Sequence, residues 1–204
     1  MLQTNTVSPE LLRVLKGLMQ TTYFDKLLLV GGTSLALQIG HRESVGIDLF
    51  GQLDFEYEMF SDDLSKIGRI TPLKRSKNIN VLNIDNIKVD FVNYRYPWIA
   101  SGFSIDGIRL ASIKDIGAMK LNTIAGRGTK KDFVDLYFLL RRFSFSELFD
   151  FYTQKFDDGN AFLVQKSLTY FEDAENNEMP KMYEEVSWEE IKRDILGKFK
   201  AEGF

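Results

Sequence analysis

The stretch Lys26-Leu27-Leu28-Leu29-Val30-Gly31-Gly32-Thr33-Ser34 constrains this chain more than any other. An apolar run so short suits a buried strand, and the two glycines stop it. Thr33 to Gly40 (TSLALQIG) then reads as a short helix closed by a glycine. A strand that turns through glycines into a helix brings bare backbone close to whatever lies in front of it. The first helical turn adds unpaired N–H groups and the positive end of the helix dipole, a seat for phosphate. Gly31 and Gly32 would permit the approach, and Thr33 and Ser34 would add hydroxyl donors. The bland reading of the same residues is a plain strand-to-helix turn.

Around this unit the chain reads as mixed strand and helix, then as helix alone. Ser8 to Met19 carries Leu11, Leu12, Val14, Leu15 and Leu18 at helical spacing after a Ser-Pro start. Ile47–Phe50, Asn80–Ile84 and Ile87–Tyr94 read as strands, the last two joined at Asp85-Asn86 as a tight hairpin. Phe55 to Ile67 has a helical rhythm, with Phe55, Met59, Phe60, Leu64 and Ile67 on one face.

After Tyr96-Pro97 the pairs Ser112/Asp115, Ser144/Glu147 and Ser187/Glu190 each set a hydroxyl three residues before an acid, the capping-box signal. Helices are predicted over about 112–126, 129–142, 144–156, 160–171 and 187–199, with an acidic loop over 172–180. The expectation is an α+β chain, a small mixed sheet flanked by helices over 1–110 and a helical region over 111–204.

Composition narrows the chemistry. With no cysteine and one histidine, His41, there is no thiolate nucleophile, no disulfide and no two-histidine metal site. Carboxylate, ammonium, guanidinium and hydroxyl chemistry remains, with an oxygen-liking metal such as magnesium. The net charge of −3 does not favour nucleic acid by itself. No apolar stretch approaches the roughly 18 residues of a membrane helix, and the N-terminus lacks a signal-peptide pattern. A cytoplasmic protein that does not engage the membrane is expected.

Two carboxylates interrupt apolar strands, Asp48 in Val45-Gly-Ile-Asp-Leu-Phe50 and Asp90 in Ile87-Lys-Val-Asp-Phe-Val92. A buried charge there is costly unless it is paired or holds a metal; a solvent-facing strand position is the alternative. Beside a phosphate-seating turn, the pair suggests magnesium held against a triphosphate. A third group lies in Lys120-Leu-Asn-Thr-Ile-Ala-Gly-Arg127-Gly-Thr-Lys-Lys131-Asp132-Phe-Val-Asp135. Asp132 and Asp135 share a helix face, and Lys131 stands four residues before Asp135, the spacing of a plain salt bridge. Arg127, in the turn between two helices, could swing onto a phosphate.

Other residues have two readings each. His41 is a surface residue at a helix end or a contact to phosphate or tRNA. Tyr94, Tyr96 and Trp98 stack on a base or pack between the two halves of the chain. Lys74-Arg75-Ser76-Lys77 is a solvated loop or an RNA-backbone contact.

The ordered run Gly-Gly-Thr-Ser, His41-Arg42-Glu43-Ser44, Ile-Asp-Leu-Phe, Lys-Val-Asp-Phe and Lys-Leu…Arg-Gly…Lys-Lys-Asp-Phe-Val-Asp-Leu-Tyr resembles the AbiEii/AbiGii toxin family of nucleotidyltransferases over roughly residues 25–142. The resemblance implies a polymerase-β-type nucleotidyltransferase fold, with residues 111–204 completing the active-site cleft. It also implies a nucleoside triphosphate (NTP) substrate, Mg2+ and a cognate antitoxin; some members transfer nucleotides to the tRNA acceptor end, and the acceptor here would be an RNA or a protein hydroxyl. By position, Gly31, Gly32, Thr33 and Ser34 would hold the triphosphate with Arg127, and Asp48 and Asp90 would be metal ligands. Asp90 would also help activate the attacking hydroxyl. Lys120, Lys131, Asp132 and Asp135 match a second conserved block, implying phosphate contact and assembly of the active site.

One position departs from the pattern. Where the family has acid–apolar–acid, this chain has Gly46-Ile47-Asp48. Side chains two apart on a strand point the same way, so Gly46 removes one of three expected carboxylates. Glu43 is the nearest substitute. Two readings stay open, an enzyme impaired or differently liganded at this position, and a catalytically inactive relative that binds nucleotide or antitoxin.

Overall fold

The computed structural model describes residues 1–53 and 61–204. The chain divides into two compact units, Met1–Tyr96 with Ser101–Ala111, and Pro97–Ala100 with Ser112–Phe204.

The first unit is built on a seven-stranded sheet. Its strands are β1 (Leu27–Val30), β2 (Gly46–Gly51), β3 (Ile70–Arg75), β4 (Ile79–Ile84), β5 (Ile87–Asn93), β6 (Phe103–Ile105) and β7 (Ile108–Leu110), in the order β3-β4-β5-β2-β1-β7-β6. The pairs β2–β5 and β1–β7 are parallel and the others antiparallel. Asp85 and Asn86 close the β4–β5 hairpin with φ of 48° and 68°, the left-handed pair that a two-residue turn requires.

Helix α1 (Pro9–Gln20) starts where the Ser8 hydroxyl accepts a hydrogen bond from Leu11 N. It buries Leu11, Val14, Leu15, Leu18 and Met19, at about 2 kcal/mol for each such side chain removed from water. They share a core with Leu27 and Leu29, Ile47 and Leu49, Leu82 and Ile84, and Val89 and Phe91. One set of alternate positions on β1, β2 and β5 therefore faces this core, and the other set, including Gly46, Asp48, Lys88 and Asp90, lies on the opposite sheet face. Arg109 on β7 ties the α1–β1 connection to the sheet, donating to the carbonyls of Met19, Phe24 and Leu27 at 2.8, 2.9 and 3.3 Å. Helix α2 (Gly31–Ile39) follows β1 without a linker and ends at Gly40, φ 75°. Of the helix expected over Phe55–Ile67, α3 (Ser61–Ile67) is present; Phe55, Met59 and Phe60 lie outside the described residues.

The second unit is helical: α4 (Ile113–Gly126), α5 (Lys130–Leu139), α6 (Phe145–Lys155), α7 (Ala161–Ser167), α8 (Glu172–Glu175) and α9 (Trp188–Ala201). Full capping boxes form at Ser144/Glu147 and Ser187/Glu190. At Ser112/Asp115 only half of one forms: Ser112 Oγ accepts from Asp115 N, while the carboxylate turns inward. It accepts from Ile99 N at 2.9 Å, Ala100 N at 3.3 Å and Lys155 Nζ at 2.7 Å. Lys155 also donates to the Pro97 carbonyl at 2.8 Å and stands 4.4 Å from the Trp98 ring centre. This ion pair is fully buried, and burial, opposed by Asp115, pulls the Lys155 ammonium below its ordinary 10.5.

Three expectations need correction. Lys74 and Arg75 end strand β3 rather than lying in a loop. The acidic segment expected to be irregular opens with α8. The helix expected over 160–171 stops at Ser167.

Candidate active site

Asp48 and Asp90 are register partners across the parallel pair β2–β5. Each belongs to the non-core face of its strand, so both carboxylates rise from the same sheet face on neighbouring strands. Val30, the last residue of β1, is the register partner of Asp48 on its other side. The strand that runs into the glycines and the two strand acids thus meet at one place.

The glycines explain how closely they meet. Gly31 has φ 68°, and a Cβ built on it would collide with the Asp48 carboxylate. A Cβ on Gly32 would collide with the Arg42 guanidinium. An acid from β2 and a guanidinium from the 41–45 segment therefore flank the first turn of α2, whose N-cap residue, Val30, makes no side-chain capping bond. Sequence reasoning did not select Arg42 as a site residue. Arg42 stands in the motif run His41-Arg42-Glu43-Ser44 with no role assigned, and its approach to Gly32 is a tertiary fact. Arg42 is buried and donates to the Glu43 carbonyl at 2.9 Å.

The hydroxyls of α2 have internal partners. Thr33 Oγ1 shares a hydrogen bond with Ser44 Oγ at 2.8 Å and donates to the Gly46 carbonyl. Ser34 Oγ accepts from Gln38 Nε2 at 3.1 Å. His41 is buried rather than at the surface. Tyr94 packs against Phe50 and Tyr96, with ring centres 5.3 and 5.5 Å apart.

The helical unit brings its own group together. Lys120 Nζ lies 2.7 Å from Asp132 Oδ1 and 2.7 Å from Asp135 Oδ2, and all three side chains are buried. Asp132 also accepts from Thr129 N and Oγ1, and Arg127 Nε stands 3.4 Å away. Burial pushes the Asp132 carboxyl up, but the charge and hydrogen bond of Lys120, with Thr129 and Arg127, outweigh it and hold the group below its ordinary 3.8. Arg127 keeps 60% of its side chain exposed, so a guanidinium remains available above a fixed base. Lys131 is exposed on the first turn of α5.

Whether the strand acids suit a magnesium ion can be judged from Asp90. Lys88 Nζ stands 2.6 Å from both of its carboxylate oxygens. Two carboxylates side by side on neighbouring strands offer the hard oxygens that an oxygen-liking cation takes, with the Lys88 ammonium beside them. Among the described residues no group of three or more acids or histidines is placed to hold an ion; the pair stands without the third carboxylate that Gly46 omits.

Comparison with known proteins bears on the family and the fold. The family model described as "Nucleotidyl transferase AbiEii toxin, Type IV TA system" matches residues 13–204. The chain belongs to this family, and so to the nucleotidyltransferase toxin class. It is 36% identical over 180 residues to an uncharacterized protein of Aquifex aeolicus (strain VF5), covering 84% of this chain and 85% of that one. In fold it is similar to a proposed nucleotidyltransferase from H. pylori, at TM-score 0.62 and 20% identity over 94% of this chain and 91% of that one. It is also similar to MenT4, a nucleotidyltransferase toxin from Mycobacterium tuberculosis H37Rv, at TM-score 0.58 and 16% identity over 92% and 80%. The fold is that of nucleotidyltransferases. No helix among the described residues is long and apolar enough to cross a membrane.

Proposed function

We propose that this chain transfers a nucleoside monophosphate from an NTP to a hydroxyl of RNA, foremost the tRNA acceptor end, or of a protein, with Mg2+ as cofactor. The observation that carries the reading is the side-by-side placement of Asp48 and Asp90 against the glycine-led start of α2.

In this reading the N–H groups of the first turn of α2 receive the triphosphate, aided by Arg42. Asp48 and Asp90 would hold magnesium, which when bound neutralises phosphate charge and favours in-line displacement. The Asp90 carboxylate takes the proton of the acceptor hydroxyl as the hydroxyl oxygen attacks the α-phosphorus. The bond from that phosphorus to the bridging oxygen breaks, and pyrophosphate leaves. Within the helical unit, Lys120, Asp132 and Asp135 form the buried base beneath the Arg127 guanidinium. A cognate antitoxin is the partner expected for such a toxin.

The test is transfer of α-labelled NTP to purified tRNA or to extract protein, comparing the native chain with Asp90→Asn. Label that depends on Asp90 supports the reading; equal labelling by both chains overturns it. Gly46 favours a second reading, a relative that binds nucleotide and transfers nothing. Calorimetry that shows NTP binding with magnesium, in a chain that labels no acceptor even as Gly46→Asp, would select it.

A further inference from the structure

Gly46 does more than omit a carboxylate. In the parallel register of β2 and β5 it lies opposite Lys88, as Asp48 lies opposite Asp90. The four positions form a square on the non-core sheet face, and the corner across from the missing acid carries an ammonium. The Lys88 Nζ stands 2.6 Å from the Asp90 carboxylate. A carboxylate at position 46 would have faced that ammonium directly. Without it, these four positions carry two negative charges and one positive, where a two-ion site needs a larger negative count.

We propose that the Lys88 ammonium takes the place of one of two cations at this site, so that Asp48 and Asp90 take one divalent ion rather than two. The inference rests on the nucleotidyltransferase reading of these acids and adds the number of ions and the residue that sets it. Lys88 is a positioning residue: its side chain is 57% exposed and it acts through Asp90. Removing its charge leaves both carboxylates to the metal. Keeping the charge as arginine keeps the limit.

The experiment is manganese binding, followed by the loss of the free Mn2+ signal in electron paramagnetic resonance, on the full chain with a non-hydrolysable NTP analogue. The native chain and Lys88→Arg are expected to bind one Mn2+ each. Lys88→Gln is expected to bind its first Mn2+ about tenfold more tightly, the effect of deleting one nearby positive charge. The double variant Gly46→Asp/Lys88→Gln is expected to bind two. Native-like circular dichroism of every variant excludes misfolding as the cause. Two ions in the native chain, unchanged affinity in Lys88→Gln, or one ion in the double variant each overturn the role of Lys88 while leaving the metal site standing. No Mn2+ on any of the four overturns the metal site and this inference together.

Discussion

Gly31 and Asp48 are in such close approach that the carboxylate fills the space where a side chain at position 31 would begin. The glycine is required twice, for its φ of 68° and for that contact. Gly31→Ala is expected to cost about 1–3 kcal/mol from backbone strain and steric conflict. Because relief comes by moving Asp48, nucleotide transfer should fall further than stability does. Urea denaturation read beside a transfer assay checks the difference.

Gly46→Asp should be tolerated by the fold. Among the described residues a Cβ there meets the Lys88 carbonyl, at 3.6 Å, and nothing nearer. The stability change is expected within about 0.5 kcal/mol, while transfer rises by about a hundredfold, the scale of one electrostatic contact at a reacting centre. Thermal melting and a rate measurement on the same preparation test both halves.

Lys120 neutralises two buried carboxylates at once. Lys120→Met leaves Asp132 and Asp135 buried without it, and is expected to cost about 3–5 kcal/mol. Chemical denaturation at neutral pH reads that loss.

Asp132 gives a pH signature. Its folded carboxyl is held below the ordinary 3.8, so the folded state binds the proton less readily than the unfolded chain. The stability it contributes is present above the unfolded value and is lost as pH falls through the folded one. The native chain should therefore lose stability as pH drops below about 4, and Asp132→Asn should show a shallower acid limb. Denaturation midpoints measured down the acid range check it; equal slopes would contradict it.

Which of these residues the sequence announces follows from how local their roles are. Asp48 and Asp90 stand out because each breaks an apolar strand, and alternation alone places them off the core face. Their register is set by strand pairing, which no local pattern reports. Arg42 reaches Gly32 from outside the helix it serves. Asp115 has the local pattern of a capping box, yet its carboxylate goes to Lys155, forty residues on. Asp135 invites pairing with Lys131 by helical spacing, and the structure gives it Lys120 from the preceding helix. Strand β3 escapes notice because Pro72 and the exposed positions through Arg75 make an edge strand without alternation. Helices α4, α6 and α9 are legible because their start signals, at Ser112, Ser144 and Ser187, lie within one turn, while the acidic composition of α8 hides it.

The central claim is that Asp48 and Asp90 form a nucleotidyl-transfer site. The most direct measurement is label transferred from α-labelled NTP, with magnesium, into the RNA and protein of a cell extract. It compares the native chain and Gly46→Asp, each with and without Asp48→Asn. The account expects label from the native chain, more from Gly46→Asp, and none above background once Asp48→Asn is introduced. No label in either background, or label indifferent to Asp48→Asn, would contradict it.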